Sequence, residues 1–155
     1  MIRVQNILYA TDFSSYSNQA YFHAVALAES HGASLTVLFV LPTNFGADWV
    51  PDAGEDRDYW QRQLEQIRPL DPSIRVQHVL LEGDPATEIV QYAQDADMDL
   101  IVMGTHGRTG LERLLMGSVA EKVMREAKCS VLVVKLPRGV PVAERSAVAV
   151  AGSPA

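Results

Sequence analysis

Leu100-Ile101-Val102-Met103, running into Gly104-Thr105-His106-Gly107-Arg108-Thr109-Gly110, is the stretch that decides the fold. The four apolar residues are too few for a helix and too continuous for a strand with one wet face. Such a run marks a strand covered on both sides, as in a parallel sheet. Three glycines among the next seven residues mean that the backbone there turns tightly or lies close to another group.

Working outward, the runs 7–10, 35–41 and 131–134 have the same character. Residues 74–81 alternate at first and fit an edge strand with one wetter face. Helical patterns separate these runs. Residues 17–31 carry Ala20, Ala24, Leu27 and Ala28 at helical spacing, with Gly32 as a stop. Residues 59–67 carry Trp60, Leu64 and Ile67, and residues 85–96 open on Pro85 and carry Ile89, Val90 and Ala93. Residues 118–127 carry Val119, Val123, Met124 and Ala127, with Ser118 placed to cap the helix. Strands alternating with helices predict an α/β fold, a parallel sheet with helices on both faces.

The 155 residues fit one domain with a sizeable core. An apolar share of 48% with 21% charged residues excludes general disorder. The single Cys129 cannot close an internal disulfide, so a reducing compartment is expected. The first residues do not read as a signal peptide, and no stretch is long and apolar enough for a membrane span. A cytoplasmic protein without a membrane partner is the expectation. The net charge of -6 argues against a nucleic-acid binder. That charge is uneven: residues 1–103 hold 5 basic and 15 acidic side chains, and residues 104–155 hold 8 and 4. An anionic ligand prefers the second part. Residues 43–58, with Gly46, Pro51, Gly54 and five acidic residues, read as a solvated connection, a lid being the alternative.

In an open α/β sheet, ligands collect beyond the carboxyl ends of the strands, where the strand order reverses. The glycine segment follows one such end, and Gly117-Ser118 opens a helix about ten residues later. A helix N-terminus offers free N–H groups and a partial positive charge, which suits phosphate. Gly117 leaves room for that approach, Ser118 can donate a hydroxyl, and Arg108 and Arg113 lie between the glycine clusters. A glycine turn with an ordinary helix cap is the competing reading. Neither a phosphate-loop Gly-Lys-Ser/Thr sequence nor a dinucleotide Gly-x-Gly-x-x-Gly fingerprint is present.

Gly104-x2-Gly107-x9-Gly117-Ser118 matches the ATP-binding signature of the universal stress protein family. The segments 103–110, 115–123, 7–14 and 129–134 also resemble that family, so the likeness spans roughly residues 3 to 135. It implies a doubly wound, five-stranded parallel sheet of strand order 3-2-1-4-5, of the adenine-nucleotide-hydrolase-like type. Residues 1–136 would form this domain and 137–155 a flexible tail. By position, the resemblance implies that Asp12 faces the nucleotide, near the ribose or a Mg²⁺-bridged phosphate. Ala10 stands where many members have Pro or Ala. Val40 would present its backbone to the adenine edge, and Met103 and Gly104 would line the ribose. Gly107, Gly117, Ser118 and Val119 would surround the phosphates, with Arg108 close by.

Other readings stand beside these. Asp12 could cap the first helix, with Ser14 or Ser15 sharing the task. Gly83-Asp84-Pro85 reads as a helix-starting turn, with a pocket wall as the alternative. His106 reads as an exposed loop histidine, with a phosphate contact as the alternative. His23, His31 and His78 lack metal-ligand spacing. Cys129 reads as an inert thiol, and Trp49 and Trp60 as packing residues.

No paired carboxylates and no phosphate-loop lysine accompany the glycine segment, so binding is favoured over efficient turnover. The expectation is an ATP-binding stress-response regulatory module, with Mg²⁺ as companion, acting through nucleotide-dependent conformation and an unidentified regulatory partner. A slow ATPase or another nucleotide-transforming enzyme is the alternative. The last strand, at an apolar sheet edge, invites pairing with a second copy, and the resemblance implies homodimers built there.

Overall fold

The computed structural model describes residues 2–43, 52–106 and 116–135. Strand β1 (Asn6–Ala10) leads into helix α1 (Ser15–His31), and β2 (Ser34–Pro42) precedes α2 (Arg57–Glu65). Then come β3 (Val76–Gly83), α3 (Pro85–Asp95), β4 (Leu100–Gly104), α4 (Ser118–Glu126) and β5 (Ser130–Val134). All neighbouring strands are parallel, in the order β3-β2-β1-β4-β5. The chain moves outward from β1 to β3, then crosses back to lay β4 on the other side of β1. The order therefore reverses between β1 and β4, which opens a crevice at their carboxyl ends.

The continuous apolar runs have a direct cause: side chains alternate across each central strand, and both faces are covered. Ile7 and Tyr9 pack with Val37, Phe39 and Val102 against α1 and α2. Leu8 and Ala10 pack with Leu38, Val40, Ile101 and Met103 against α3 and α4. The fifth run forms edge strand β3, whose residues are mostly half-buried or exposed.

Local signals explain the helix ends. Helix α1 buries Ala20, Ala24 and Ala28 on the sheet, and small side chains there let the helix come close. It stops at Gly32, whose φ of 62° is left-handed and whose N–H donates to the Ala28 carbonyl. Ser14 caps α1 by accepting from the Ser17 N–H, and Asp56 and Asp84 cap α2 and α3 in the same way.

Helix α4 departs from expectation. Ser118 does not cap it: Gly117 is the N-cap, with no side-chain hydrogen bond. The Gly117 carbonyl already accepts from the Glu121 N–H at 3.0 Å. Ser118 is thus inside the first turn, one position too late for its hydroxyl to cap. No helix among the described residues is long and apolar enough to cross a membrane. The tail 137–155, Trp49 and residues 44–51 of the acidic connection lie outside the described residues.

Candidate functional site

The crevice between β1 and β4 holds a cavity of about 230 Å³, several times the roughly 30 Å³ share of one water molecule. Ala10 and Asp12 reach it from the end of β1, and Val40 from the end of β2. Met103 and Gly104 line it from β4, and Gly117, Ser118 and Val119 from the start of α4. Eight of the ten residues singled out in the sequence thus surround one space. Gly107 and Arg108, with Arg113, lie outside the described residues.

The walls are largely apolar. Leu38, Phe39, Pro42, Pro85, Ile89 and Ala120 also line the cavity, with Thr11 and Ser17 among the polar members. Sequence reasoning missed Leu38, Ile89 and Ser17 as wall residues, whereas Thr11 and Pro85 lie just after strands, where ligands of such a sheet collect. Leu38 and Ile89 read only as core. Thr11 and Ser17 are 5% and 3% exposed, and their hydroxyl oxygens lie 3.1 Å apart. Either hydroxyl can donate, so the buried pair satisfies itself.

Strand β2 runs beyond β1. Its last β1 pair is Ala10 with Leu38, yet it continues beside β3 to the pair Pro42 with Gly83. The Leu38 carbonyl accepts from the Thr11 N–H at 2.9 Å, whereas the Leu35 N–H donates to Arg75 on the β3 side. Strand hydrogen bonding alternates sides with period two, so Val40 turns its N–H and C=O to the Leu38 side, past the end of β1. A donor and an acceptor from one peptide segment therefore face the cavity.

The two glycines differ in kind. A Cβ at Gly104 would lie 2.6 Å from the Tyr16 carbonyl oxygen, so glycine there serves the contact between β4 and α1. Gly117 has φ -72° and ψ 164°, a conformation open to any residue. The backbone at 117 therefore makes no demand for glycine.

Thr105 bonds both to β5 and to the residue before α4. Its N–H donates to the Val134 carbonyl at 3.2 Å, and its own carbonyl accepts from the Gly117 N–H at 2.6 Å. His106 is half-buried and lines the cavity, which corrects its reading as an exposed loop residue. Its Nδ1 lies 3.1 Å from the Thr105 hydroxyl, and its ring centroid lies 5.2 Å from that of Tyr16. Asp12 is outside the α1 cap: its carboxylate accepts from the Ser14 N–H at 3.0 Å, while Ser14 does the capping.

Both readings of Gly83-Asp84-Pro85 hold, because Asp84 starts α3 while Pro85 lines the cavity. Asp84 accepts from the Thr87 N–H and hydroxyl at 3.1 and 2.7 Å. Lys122 of α4 donates to Asp84 at 3.2 Å and to the Thr87 hydroxyl at 2.9 Å, tying the starts of α3 and α4 together. The Thr87 hydroxyl first, and Lys122 to a lesser degree, hold the Asp84 carboxyl below its ordinary range. A carboxyl with a depressed folded pKa stabilises above its unfolded value of about 3.9 and loses that contribution as pH falls through the folded value. Asp84→Ala is expected to cost about 1 kcal/mol at pH 7. Urea unfolding should show the gap to wild type narrowing as pH falls below the unfolded value of about 3.9; a pH-independent gap would refute the assignment.

Burial raises the pKa of the half-buried Cys129 thiol, which keeps it protonated and unreactive. Trp60 is a packing residue, buried against Phe13 and Phe39. Among the described residues no cluster of His, Cys, Asp or Glu could hold a metal ion by itself.

The sequence model of the universal stress protein family matches residues 3–135. A universal stress protein of Methanocaldococcus jannaschii is 36% identical over 142 residues, covering 86% of this chain and 84% of its own. The solved structure of universal stress protein UspA from Lactobacillus plantarum superimposes with a TM-score of 0.69 at 27% identity, over 85% of this chain and 98% of that one. A universal stress protein from Archaeoglobus fulgidus, solved in complex with dAMP, shares the fold at 24% identity. Its TM-score is 0.63, over 87% of this chain and all of its own.

Proposed function

The chain belongs to the universal stress protein family, and from that premise we propose that it binds ATP and acts as a stress-response regulatory module. The observation that carries this reading is the start of α4. Of the four described helices, it is the one without a capping side chain, and it opens into the cavity at the point where the strand order reverses. The first N–H groups of a helix have no partner within it, and they carry the positive end of its dipole. Backbone N–H groups at Ser118 and Val119 would hold phosphate oxygens, with the Ser118 hydroxyl adding a donor, while Gly117, whose N–H is taken by the Thr105 carbonyl, lies at the approach to them.

The rest of the cavity suits adenosine. Leu38, Val40, Ile89 and Met103 offer apolar contact to a base. The Val40 N–H and C=O complement the ring-nitrogen acceptor and exocyclic-amine donor of adenine. Asp12 would serve the ribose, or one coordination position of Mg²⁺. Since the described residues build no metal cluster, a Mg²⁺ ion fits only as a companion of the phosphates, which would supply most of its oxygen ligands. Nucleotide binding would act by favouring one of two conformations with different partner affinity. The edge of β5, which pairs only with β4 among the described residues and carries half-buried Val131, Leu132 and Val133, is read as the seam of a homodimer.

Calorimetric titration with ATP, ADP, AMP and GTP, with and without Mg²⁺, tests the proposal. ATP is expected to bind and to be preferred over GTP. Binding of none of the four would overturn the reading.

A further inference from the structure

Phe13 has a φ of 63°, the left-handed region that side chains rarely adopt, and an aromatic residue pays a steric cost to be there. Backbone outliers of this kind persist where surrounding contacts over-determine them. Here those contacts are aromatic. The Phe13 ring meets Phe39 edge-on at 5.0 Å between centroids and Trp60 of α2 at 5.1 Å, and Phe39 and Trp60 are themselves 5.1 Å apart. Two local hydrogen bonds complete the turn. The Phe13 N–H donates to the Thr11 hydroxyl and the Ser14 N–H to the Asp12 carboxylate, each at 3.0 Å.

One torsion links this aromatic seat to the cavity. Rotation about the N–Cα bond of Phe13 moves the ring relative to the peptide that carries Asp12. With the ring fixed on Phe39 and Trp60, a return to negative φ would swing Asp12 away from the cavity it lines. We propose that Phe13 is a positioning residue: its ring, seated on Phe39 and Trp60, holds the turn left-handed and so holds the Asp12 carboxylate against the bound ligand. The inference rests on the nucleotide reading of the cavity and assigns this role to a side chain that does not line it.

The test measures Mg²⁺-ATP affinity by calorimetry and stability by thermal unfolding for Phe13→Ile and Phe13→Gly, each alone and combined with Asp12→Ala. Isoleucine is β-branched and resists the left-handed region, whereas glycine enters it freely. Both lose the ring, so a purely structural role would weaken binding in both, in step with stability. The expected result is an affinity about tenfold weaker for Phe13→Ile and within about threefold of wild type for Phe13→Gly. In the Asp12→Ala background, Phe13→Ile should cause no further loss. Should Phe13→Ile fail to fold, Phe13→Ala, which keeps a Cβ, replaces it. Wild-type affinity in Phe13→Ile, wild-type affinity in Asp12→Ala, or an equal loss with and without Asp12 would each overturn the inference while leaving nucleotide binding intact. Absence of binding by the unmodified protein would overturn both.

Discussion

Gly104→Ala is expected to lower the stability of the domain by about 3 kcal/mol, the upper part of the usual range for overpacking. The added methyl carbon would sit 2.6 Å from the Tyr16 carbonyl oxygen, 2.7 Å from its carbon and 3.1 Å from the Ser17 nitrogen. All three are backbone atoms of the first turn of α1, so no rotamer change relieves the clash. The helix must lift from the end of β4 or the strand must bend. Lifting α1 would loosen Ala20, Ala24 and Ala28, each at most 1% exposed and packed against the sheet. The melting temperature should fall by roughly 10 °C. A melting temperature within about 2 °C of wild type would show that α1 and β4 do not approach this closely. Nucleotide affinity should fall as well, by distortion of the cavity, so this glycine does not report on ligand contact.

Gly117→Val separates the two effects. The backbone at 117 lies in the extended region that valine favours, and replacing a glycine cap by an apolar residue costs only a modest amount of helix stability. Unfolding free energy is therefore expected to change by less than about 1 kcal/mol. Affinity for ATP should fall by at least about 100-fold, because an isopropyl group would occupy the approach to the α4 N–H groups and exclude the phosphates. Paired urea titration and calorimetry check both parts. Unchanged affinity would make the glycine purely structural, and a large stability loss would reveal a packing demand at 117.

Most of the fold was legible because its signals are local. A strand covered on both faces must be apolar throughout, so residues 35–41 and 100–103 announced themselves, and the helices between them followed from spacing and from Gly32 and Pro85. Boundaries slipped where capping decides them. Helix α1 begins at Ser15 rather than Ser17, because the Ser14 hydroxyl takes the Ser17 N–H. Ser118 was misplaced as a cap because a serine before a helical pattern looks the same at the N-cap as in the first turn. Geometry distinguishes the two, and here Gly117 holds the cap position.

The alternation of strands and helices, the glycine segment after β4 and the resemblance to one family are all written in the order of residues along the chain. These depend on near neighbours in the chain, where hydrophobic periodicity and turn chemistry act. Which distant residues meet depends on the packed sheet and its layers. Val40, Ile89, Met103 and Gly117 share a cavity because the strand order reverses at β1 and because β2 overruns it. Likewise, Gly104 is required by the backbone of α1, and Phe13 is held by rings 26 and 47 residues away along the chain. Such contacts follow from register and layer packing, which are properties of the assembled sheet and leave no periodic trace in any one segment.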